Sequence, residues 1–245
     1  MLRCSSCENP ICHQALIDEI RQPSVYACVK IGVVSGARHY GGQSGADRIA
    51  ERRRRFIAAG LELMGTKGIA ATTLRGVAEQ AGLAARYFAE SFPTIEDLHV
   101  AVFDSIMAEV EERGLAAIAK TEGGPRARAR AALSALSDVA LTDRRKGRIV
   151  LIEAVSSTAL GPRRLAEAQR FAGIVAGLSG SETDPQRLDV QLAAQFVIGG
   201  VAETLTAVLV GAITVDREHL IDMLNDLLFA SLRAVRGTAG AVRTG

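Results

Sequence analysis

The chain has 245 residues, of which 48% are hydrophobic and 23% are charged, a composition that is typical of globular proteins and excludes a disordered chain. The formal net charge is only +2, so any nucleic-acid binding must depend on a local basic surface rather than on the charge of the whole chain. Only 4% of the residues are aromatic and none is Trp, so the core must be built from Ala, Leu, Val and Ile, a mixture that predicts an all-α fold.

The first 46 residues show no sustained hydrophobic period, and they contain all four cysteines: Cys4, Cys7, Cys12 and Cys28. A disulfide-stapled secreted domain would spread its cysteines through the folded body, and no apolar signal sequence is visible, so we predict a reducing, cytoplasmic location. We expect this segment to be a poorly ordered extension or to lie upstream of the true start. A C-x-x-C pair followed by C-H leaves a zinc knuckle open, but a second paired motif is missing and we predict no metal site.

The first helix is predicted over residues 47–66, where apolar side chains recur at helical spacing before Lys67 and Gly68 end it. Residues 52–55 of this helix are four consecutive arginines. Successive helical residues are rotated by about 100°, so the four side chains cannot all face one way. We expect one or two of them to reach a DNA phosphate and the others to be solvated.

Residues 72–92 have the pattern of two short helices around a tight turn. Apolar residues at i, i+3, i+4 and i+7 define one face of the first helix: Leu74, Val77, Ala78 and Ala81. Thr72 or Thr73 supplies its N-cap, and Gly82 follows where the chain must turn. This arrangement is typical of the DNA-binding helix-turn-helix, whose second helix enters the major groove, but an ordinary helical hairpin in a bundle has the same pattern.

The residues that follow predict a helical body. Thr94 and Asp97 form a capping-box pattern that opens a long helix to about Lys120, and Gly123 to Pro125 break it. Further helices are predicted over residues 126–141, 144–157, 162–178, 184–212 and 217–236, before a short tail at residues 237–245.

Two stretches of this body have functional interpretations. Glu153 lies in mid-helix among apolar residues and is a candidate carboxylate of a ligand pocket, with a solvated or ion-paired glutamate as the alternative. Residues 190–215 contain a single charge, Glu203, and are long enough to span a membrane. A charge in the middle of a bilayer costs at least about 2.5 kcal/mol, so we predict instead a buried helix of a soluble bundle or dimer and no membrane contact.

Motifs for catalysis were sought and not found in the sequence. The glycines at residues 41–45 lack the following Lys-Ser/Thr of a phosphate loop, and no G-x-S-x-G elbow occurs. The four histidines do not stand at metal-ligand spacing from one another. We therefore predict a protein that is not an enzyme and that needs no cofactor.

The segment from residue 47 to residue 103 resembles the N-terminal domain of the TetR family of transcriptional regulators. Four motifs support the resemblance: G-x-x-x-T-T at the end of the first helix, L-R-x-V-A-x-x-A-G-L, Y-F-x-x-S-F, and P-T-x-E-D-L at the start of the long helix. From there to residue 236 the likeness is one of architecture, and residues 1–46 have no counterpart.

The resemblance implies which residues face DNA. Base reading is expected from the exposed side of the second motif helix, namely Ala85, Arg86, Tyr87 and Glu90, with Arg86 best suited to a bidentate contact with guanine. Phosphate contacts are expected from Thr72, Thr73 and Arg75. The chain departs from the family pattern at Ala84, where a capping Ser or Thr is usual, and at Ala89, where a phosphate-contacting Tyr is usual.

The resemblance also implies an organisation and a function. We predict a three-helix helix-turn-helix domain over residues 47–93 and a helical bundle for ligand binding and dimerisation over residues 94–236. Such a protein would be a repressor that binds double-stranded DNA at an approximately palindromic operator as a homodimer and is released by a small-molecule effector. The alternative hypothesis is a helical small-molecule-binding protein or enzyme that does not bind DNA.

Overall fold

A computed structural model describes residues 45–178 and 187–241 of the chain. Every regular element in these residues is helical, which confirms the all-α prediction. In chain order the α-helices are α1 (Gly45–Lys67), α2 (Leu74–Ala81), α3 (Phe88–Ser91), α4 (Ile95–Lys120), α5 (Pro125–Thr142), α6 (Arg144–Gly147), α7 (Ala154–Ser156), α8 (Gly161–Gly177), α9 (Leu188–Leu209) and α10 (Arg217–Ala241). The predictions for residues 1–44, including the cysteines, lie outside the described residues.

Helices α1 to α3 form the predicted three-helix unit, and local sequence signals place its turn. The Thr73 side chain accepts a hydrogen bond from the Gly76 amide and so caps α2. Gly82 ends α2 in the left-handed conformation with φ of 63°, which a side chain would disfavour. Leu74 departs from the predicted apolar stripe: it is exposed, because it stands in the first turn of α2 before the helix reaches α1.

The three-helix unit is held together by aromatic packing that continues into the body. Phe56 on α1 makes edge-on contacts with Phe88 and Phe92, with ring centroids 5.4 and 6.5 Å apart. The same buried cluster extends without a break through α4 to the body residues Val139, Ile149, Ala154 and Leu160. The three-helix unit therefore packs firmly on the body, and one buried cluster continues across residue 93.

Helix α4 is the long rod that links the two regions. Thr94 and Asp97 form the predicted capping box at its start, where each side chain accepts from the other residue's backbone amide. After α4 ends at Lys120, Gly123 adopts φ of 111° and Pro125 begins α5, so the chain reverses and α5 packs along α4.

The helix predicted at residues 144–157 is interrupted by a π-helical segment, Arg148–Glu153, between α6 and α7. This stretch also lies unusually close to its neighbours. A Cβ on Gly65 of α1 would collide with Arg145, and a Cβ on Gly147 would collide with the Ala140 carbonyl oxygen of α5. The two glycines thus allow α1 and α5 to approach α6 at backbone distance.

Helices α8 to α10 and the outer half of α5 form a second buried cluster. Leu165 on α8 and Leu227 on α10 lie outside this cluster and are exposed. Helix α10 continues to Ala241, beyond the end predicted at Arg236, because residues 237–241 contain no proline and helical glycines cost only about 1 kcal/mol each.

Within the described residues, α9 is long and apolar enough to cross a membrane by length and composition, but only 22% of its most apolar stretch is buried in the protomer. Within the protomer, the predicted burial of this helix therefore holds for one face only. One face, which includes Val190, Ala194 and Leu205, packs in the second cluster, and the opposite face is exposed.

Candidate nucleic-acid interface and ligand cavity

The side chains predicted to read bases lie together on and just before α3. Ala85, Arg86 and Glu90 are exposed and Tyr87 is half-buried. Residues Ala85–Tyr87 form a 3₁₀ turn that leads directly into α3, and Ala84 at its start makes no side-chain capping bond. The missing cap noted in the sequence therefore corresponds to a second motif helix whose first turn is 3₁₀ rather than α.

Tyr87 lies between two arginines. The Arg86 guanidinium donates to the Tyr87 hydroxyl at 3.1 Å and its carbon lies 4.9 Å from the ring centroid. The Arg52 guanidinium carbon, from α1, lies 4.4 Å from the same centroid. The hydrogen bond from Arg86 lowers the pKa of the Tyr87 hydroxyl. Tyr87 is thereby fixed in one orientation at the rim of the exposed helix face.

The arginines at residues 52–55 make contacts within the protomer that the sequence did not predict. Arg52 pairs with Glu90 at 2.7 Å, Arg53 donates to the Ser91 carbonyl at 2.6 Å, and Arg55 donates to the Ala81 carbonyl at 2.6 Å. Arg54 turns outward and pairs with Glu51. Arg52, Arg53 and Arg55 therefore link α1 to the helix-turn-helix, while Arg53, Arg54 and Arg55 remain exposed to solvent. Glu90, predicted to face bases, is paired with Arg52.

The three residues predicted to hold phosphates have different surroundings. Arg75 is fully outward, with 88% of its side chain exposed and a pairing to Glu79 on its own helix at 3.0 Å. Thr73 is exposed at the start of α2. Thr72 is buried, and its hydroxyl donates to the Gly68 carbonyl at 2.9 Å. Because that hydroxyl is enclosed and already bonded, Thr72 stabilises the turn and presents no group to a phosphate.

Glu153 was a candidate for the ligand pocket, and the structure places it elsewhere. Its carboxylate accepts from the Ile69 amide at 2.9 Å and from Arg148 at 2.9 Å. Arg148 in turn donates to the Thr66 carbonyl at 3.0 Å. Glu153 therefore joins the π-helical segment to the end of α1 as an ion-paired glutamate, the alternative to a pocket carboxylate. It does not line the cavity described below. A mid-helix position among apolar neighbours could not distinguish a pocket from a contact between helices.

A cavity of about 250 Å³ lies inside the body, between α4, α5, α8, α9 and the π-helical segment. Its walls are mainly aliphatic, and Phe103 and Phe171 are its aromatic lining residues. The charged lining residues are Glu111, Arg128, Arg164, Glu167 and Arg170. The sequence alone identified none of these, because they come from three separate helices whose mutual rotation no local pattern reveals. Among the described residues, no cluster of His, Cys, Asp or Glu could hold a metal ion.

Comparison with known proteins agrees with this architecture. Residues 56–102 match the model of the family described as bacterial regulatory proteins, tetR family, which confirms the resemblance of the DNA-binding unit. No curated protein matches the chain.

Three crystal structures illustrate the likeness over the longer part of the chain. A TetR-like transcriptional regulator from Rhodococcus sp. RHA1 is 20% identical, with a TM-score of 0.61 over 78% of this chain and 97% of its own. A tetR-family transcriptional regulator from Streptomyces coelicolor is 19% identical, with a TM-score of 0.63 over 78% and 86%. The regulator FadR from Bacillus subtilis in complex with stearoyl-CoA is 21% identical, with a TM-score of 0.60 over 71% and 96%. At these identities the likeness shows a shared fold.

Proposed function

We propose that this chain, whose residues 56–102 form a tetR-type DNA-binding domain, is a cytoplasmic transcriptional repressor that a small molecule releases from its operator. The observation that supports it best is the exposed face of α2 and α3. There Tyr87 is held by Arg52 of α1 and by its neighbour Arg86, and Arg75 on α2 points to solvent. Arg86 and Tyr87 would read base edges, and Thr73 and Arg75 would bind phosphates. Thr72 is left out of this contact set.

The exposed faces of α9 and α10 support a homodimer. Large apolar side chains remain uncovered on both helices: Leu188, Leu192 and Phe196 on α9, and Met223 and Leu227 on α10. An apolar surface of this kind on a soluble protein indicates an association site. A second copy that covers it by twofold symmetry would place two DNA-binding units side by side, which fits an approximately palindromic operator.

DNA selection followed by titration tests the proposed function. We expect the full chain to enrich an approximately palindromic sequence from a random library, and its affinity for that sequence to fall steeply as salt rises from 50 to 200 mM. The physical reason is that each phosphate contact releases counterions from the DNA. The logarithm of the binding constant therefore falls against the logarithm of the salt concentration with a slope of about −0.9 for each phosphate contact. A scrambled duplex of equal composition is the control. Absence of any enriched sequence, or an affinity that ignores salt, would favour the alternative of a ligand-binding protein or enzyme without DNA binding.

We further propose that α6 and the π-helical segment link the cavity to the DNA-binding unit. On one side, Val150 and Leu151 line the cavity. On the other, Glu153 holds the Ile69 amide and Arg145 pairs with Glu62 of α1 at 2.5 Å. A ligand that displaces the cavity wall would therefore move the residues that position α1. A π-helical segment has i→i+5 hydrogen bonds in place of the usual i→i+4 bonds, and such segments are frequent at functional sites.

Glu153→Ala tests this link without a ligand. The change leaves the Ile69 amide and Arg148 without their shared acceptor, so we expect faster hydrogen exchange at the Ile69 amide. We also expect about tenfold weaker operator binding, which is within the usual range of coupling free energies between two sites. Glu218→Ala is the matched control, because it breaks an ion pair of the body surface, with Arg130 at 2.8 Å, far from α1. If Ile69 exchange rises while operator affinity stays at the wild-type value, the position of α1 is not set by this contact.

A further inference from the structure

Two arginines in the cavity wall have no hydrogen-bond partner for their Nε atoms among the described residues. Arg128 on α5 and Arg164 on α8 both line the cavity, and the Nε atom of each is buried without a hydrogen-bond partner among the described residues. Arginines that flank them on the same helices each pair with a carboxylate: Arg126, Arg130, Arg163 and Arg170. A buried guanidinium N–H that is left unsatisfied is unfavourable, so the absence of partners at these two positions requires an explanation.

The remaining charged lining residues do not supply that partner. Arg170 binds Glu167 at 2.8 Å and lies 4.0 Å from Glu111. Arg170 therefore forms ion pairs with both carboxylates at the wall between α4 and α8. Glu167 is three residues after Arg164 on the same helix, but Arg170 occupies it.

Arg128 and Arg164 lie toward opposite ends of the cavity. Arg163 pairs with Asp104 and Arg170 approaches Glu111, so α8 runs parallel to α4 and Arg164 lies level with the Phe103 end. Helix α5 reverses direction after a short turn, so Arg128 in its first turns lies level with the Ile118 end. Phe103 and Ile118 are separated by roughly 22 Å along α4 at 1.5 Å per residue. Helical side chains lean toward the N-terminus of their own helix, which carries the two guanidinium groups further apart.

From this arrangement we infer that the cavity binds a long, unbranched aliphatic molecule with an anionic group at each end, of which an α,ω-dicarboxylate is the simplest example. The inference rests on the proposed function, in which this cavity is the effector site. Each carboxylate would accept paired hydrogen bonds from one guanidinium, and the methylene chain would lie against the aliphatic walls. The span fits roughly 12 to 16 carbons, since carbon–carbon bonds of about 1.5 Å advance an extended chain by about 1.3 Å each.

Calorimetric titration of the full chain in the absence of DNA tests the inference, so its outcome is independent of operator binding. The probes are saturated dicarboxylates of 8 to 18 carbons, the monocarboxylates of the same lengths, and the corresponding uncharged diols. We expect a dicarboxylate optimum at 12 to 16 carbons, with at least tenfold higher affinity than the matched monocarboxylate and no measurable binding of the diol. A monocarboxylate that binds as tightly as the dicarboxylate, or an affinity that rises with length without an optimum, would overturn it.

Arg128→Gln and Arg164→Gln provide a second, independent readout. Each change should weaken dicarboxylate binding at least tenfold, because one end of the ligand loses its partner. Each should weaken monocarboxylate binding only about twofold, because a ligand with one anionic end can reverse its orientation and use the other arginine. Arg126→Gln, on the same helix but paired outside the cavity with Asp226, is the matched control and should change neither affinity. Equal losses for the two ligand classes would contradict the two-ended site.

Discussion

Replacing Arg86 with alanine is expected to weaken operator binding by about 1–3 kcal/mol and to relax the preference at one base position. The side chain is exposed at the start of the second motif helix, and its partner in the protomer is the adjacent Tyr87 hydroxyl. A bidentate guanidinium contact to guanine O6 and N7 is lost entirely when the side chain is removed, and the affinity for other bases at that position is changed little.

Arg75→Ala is the contrasting change, and it should act on all DNA sequences alike. Arg75 stands at the start of α2 with its side chain 88% exposed and contacts only Glu79 among the described residues, so its removal should leave the fold intact. We expect weaker binding of specific and non-specific duplexes by similar factors, and a salt slope that falls by about one phosphate contact. The two variants, titrated against operators substituted at each position, separate base reading from phosphate binding.

Arg113→Ala controls for the loss of one positive charge. Arg113 pairs with Glu109 four residues earlier on α4, an i,i+4 pair like that of Arg75 with Glu79 but in the reverse order and in the body of the protein. It should leave the base preference unchanged and alter the affinity by less than either test variant. Loss of affinity that is equal and sequence-independent for Arg86→Ala and Arg75→Ala would show that the two residues do not have the assigned roles.

The elements that could be predicted from the sequence are those whose cause is local. Thr73 is the one of two expected threonines that caps α2, Thr94 caps α4 and Gly82 takes the left-handed turn, as expected from each residue and its immediate neighbours. Pro125 was expected only to break the chain after α4, and it is also the first residue of α5. The motifs that resemble the TetR family include these same capping and turn residues. The helix-turn-helix unit could therefore be predicted from the sequence.

The features that the sequence could not define concern residues whose surroundings come from distant parts of the chain. Four arginines in a row indicate positive charge, but only the position of α2 and α3 decides that Arg52, Arg53 and Arg55 hold the helix-turn-helix. Glu153 has apolar neighbours in sequence, yet its partner Ile69 lies 84 residues away. The cavity and its two unpaired arginines depend on the rotation of four helices about their axes, which hydrophobic periodicity defines only coarsely.

Separating the proposed dimer is expected to have the largest effect on DNA binding, and Phe196→Lys should achieve it. Phe196 is 74% exposed on α9 and continues the row formed by Leu188 and Leu192 at four-residue spacing. In a twofold interface the change acts twice, since each copy loses roughly 1.5–3 kcal/mol of burial and gains a charge in an apolar contact. We expect a monomer by size-exclusion chromatography, with the same helical content and an operator affinity more than tenfold lower, because two joined units gain from effective concentration.

Gly199→Leu is the sharper probe, because it adds volume on the same α9 face without disturbing the protomer. A Cβ at Gly199 would meet no described atom within 4 Å, and leucine forms helix more readily than glycine, so the isolated chain should be at least as stable as the wild type. Only a partner helix packed closely against this face can be displaced by the new side chain. Gly173→Leu, at an equally open position on α8, should leave both dimer and operator binding unchanged. The substitution does not alter the DNA-binding surface itself. If the Gly199→Leu protein is monomeric and still binds the full operator with undiminished affinity, dimerisation does not control recognition.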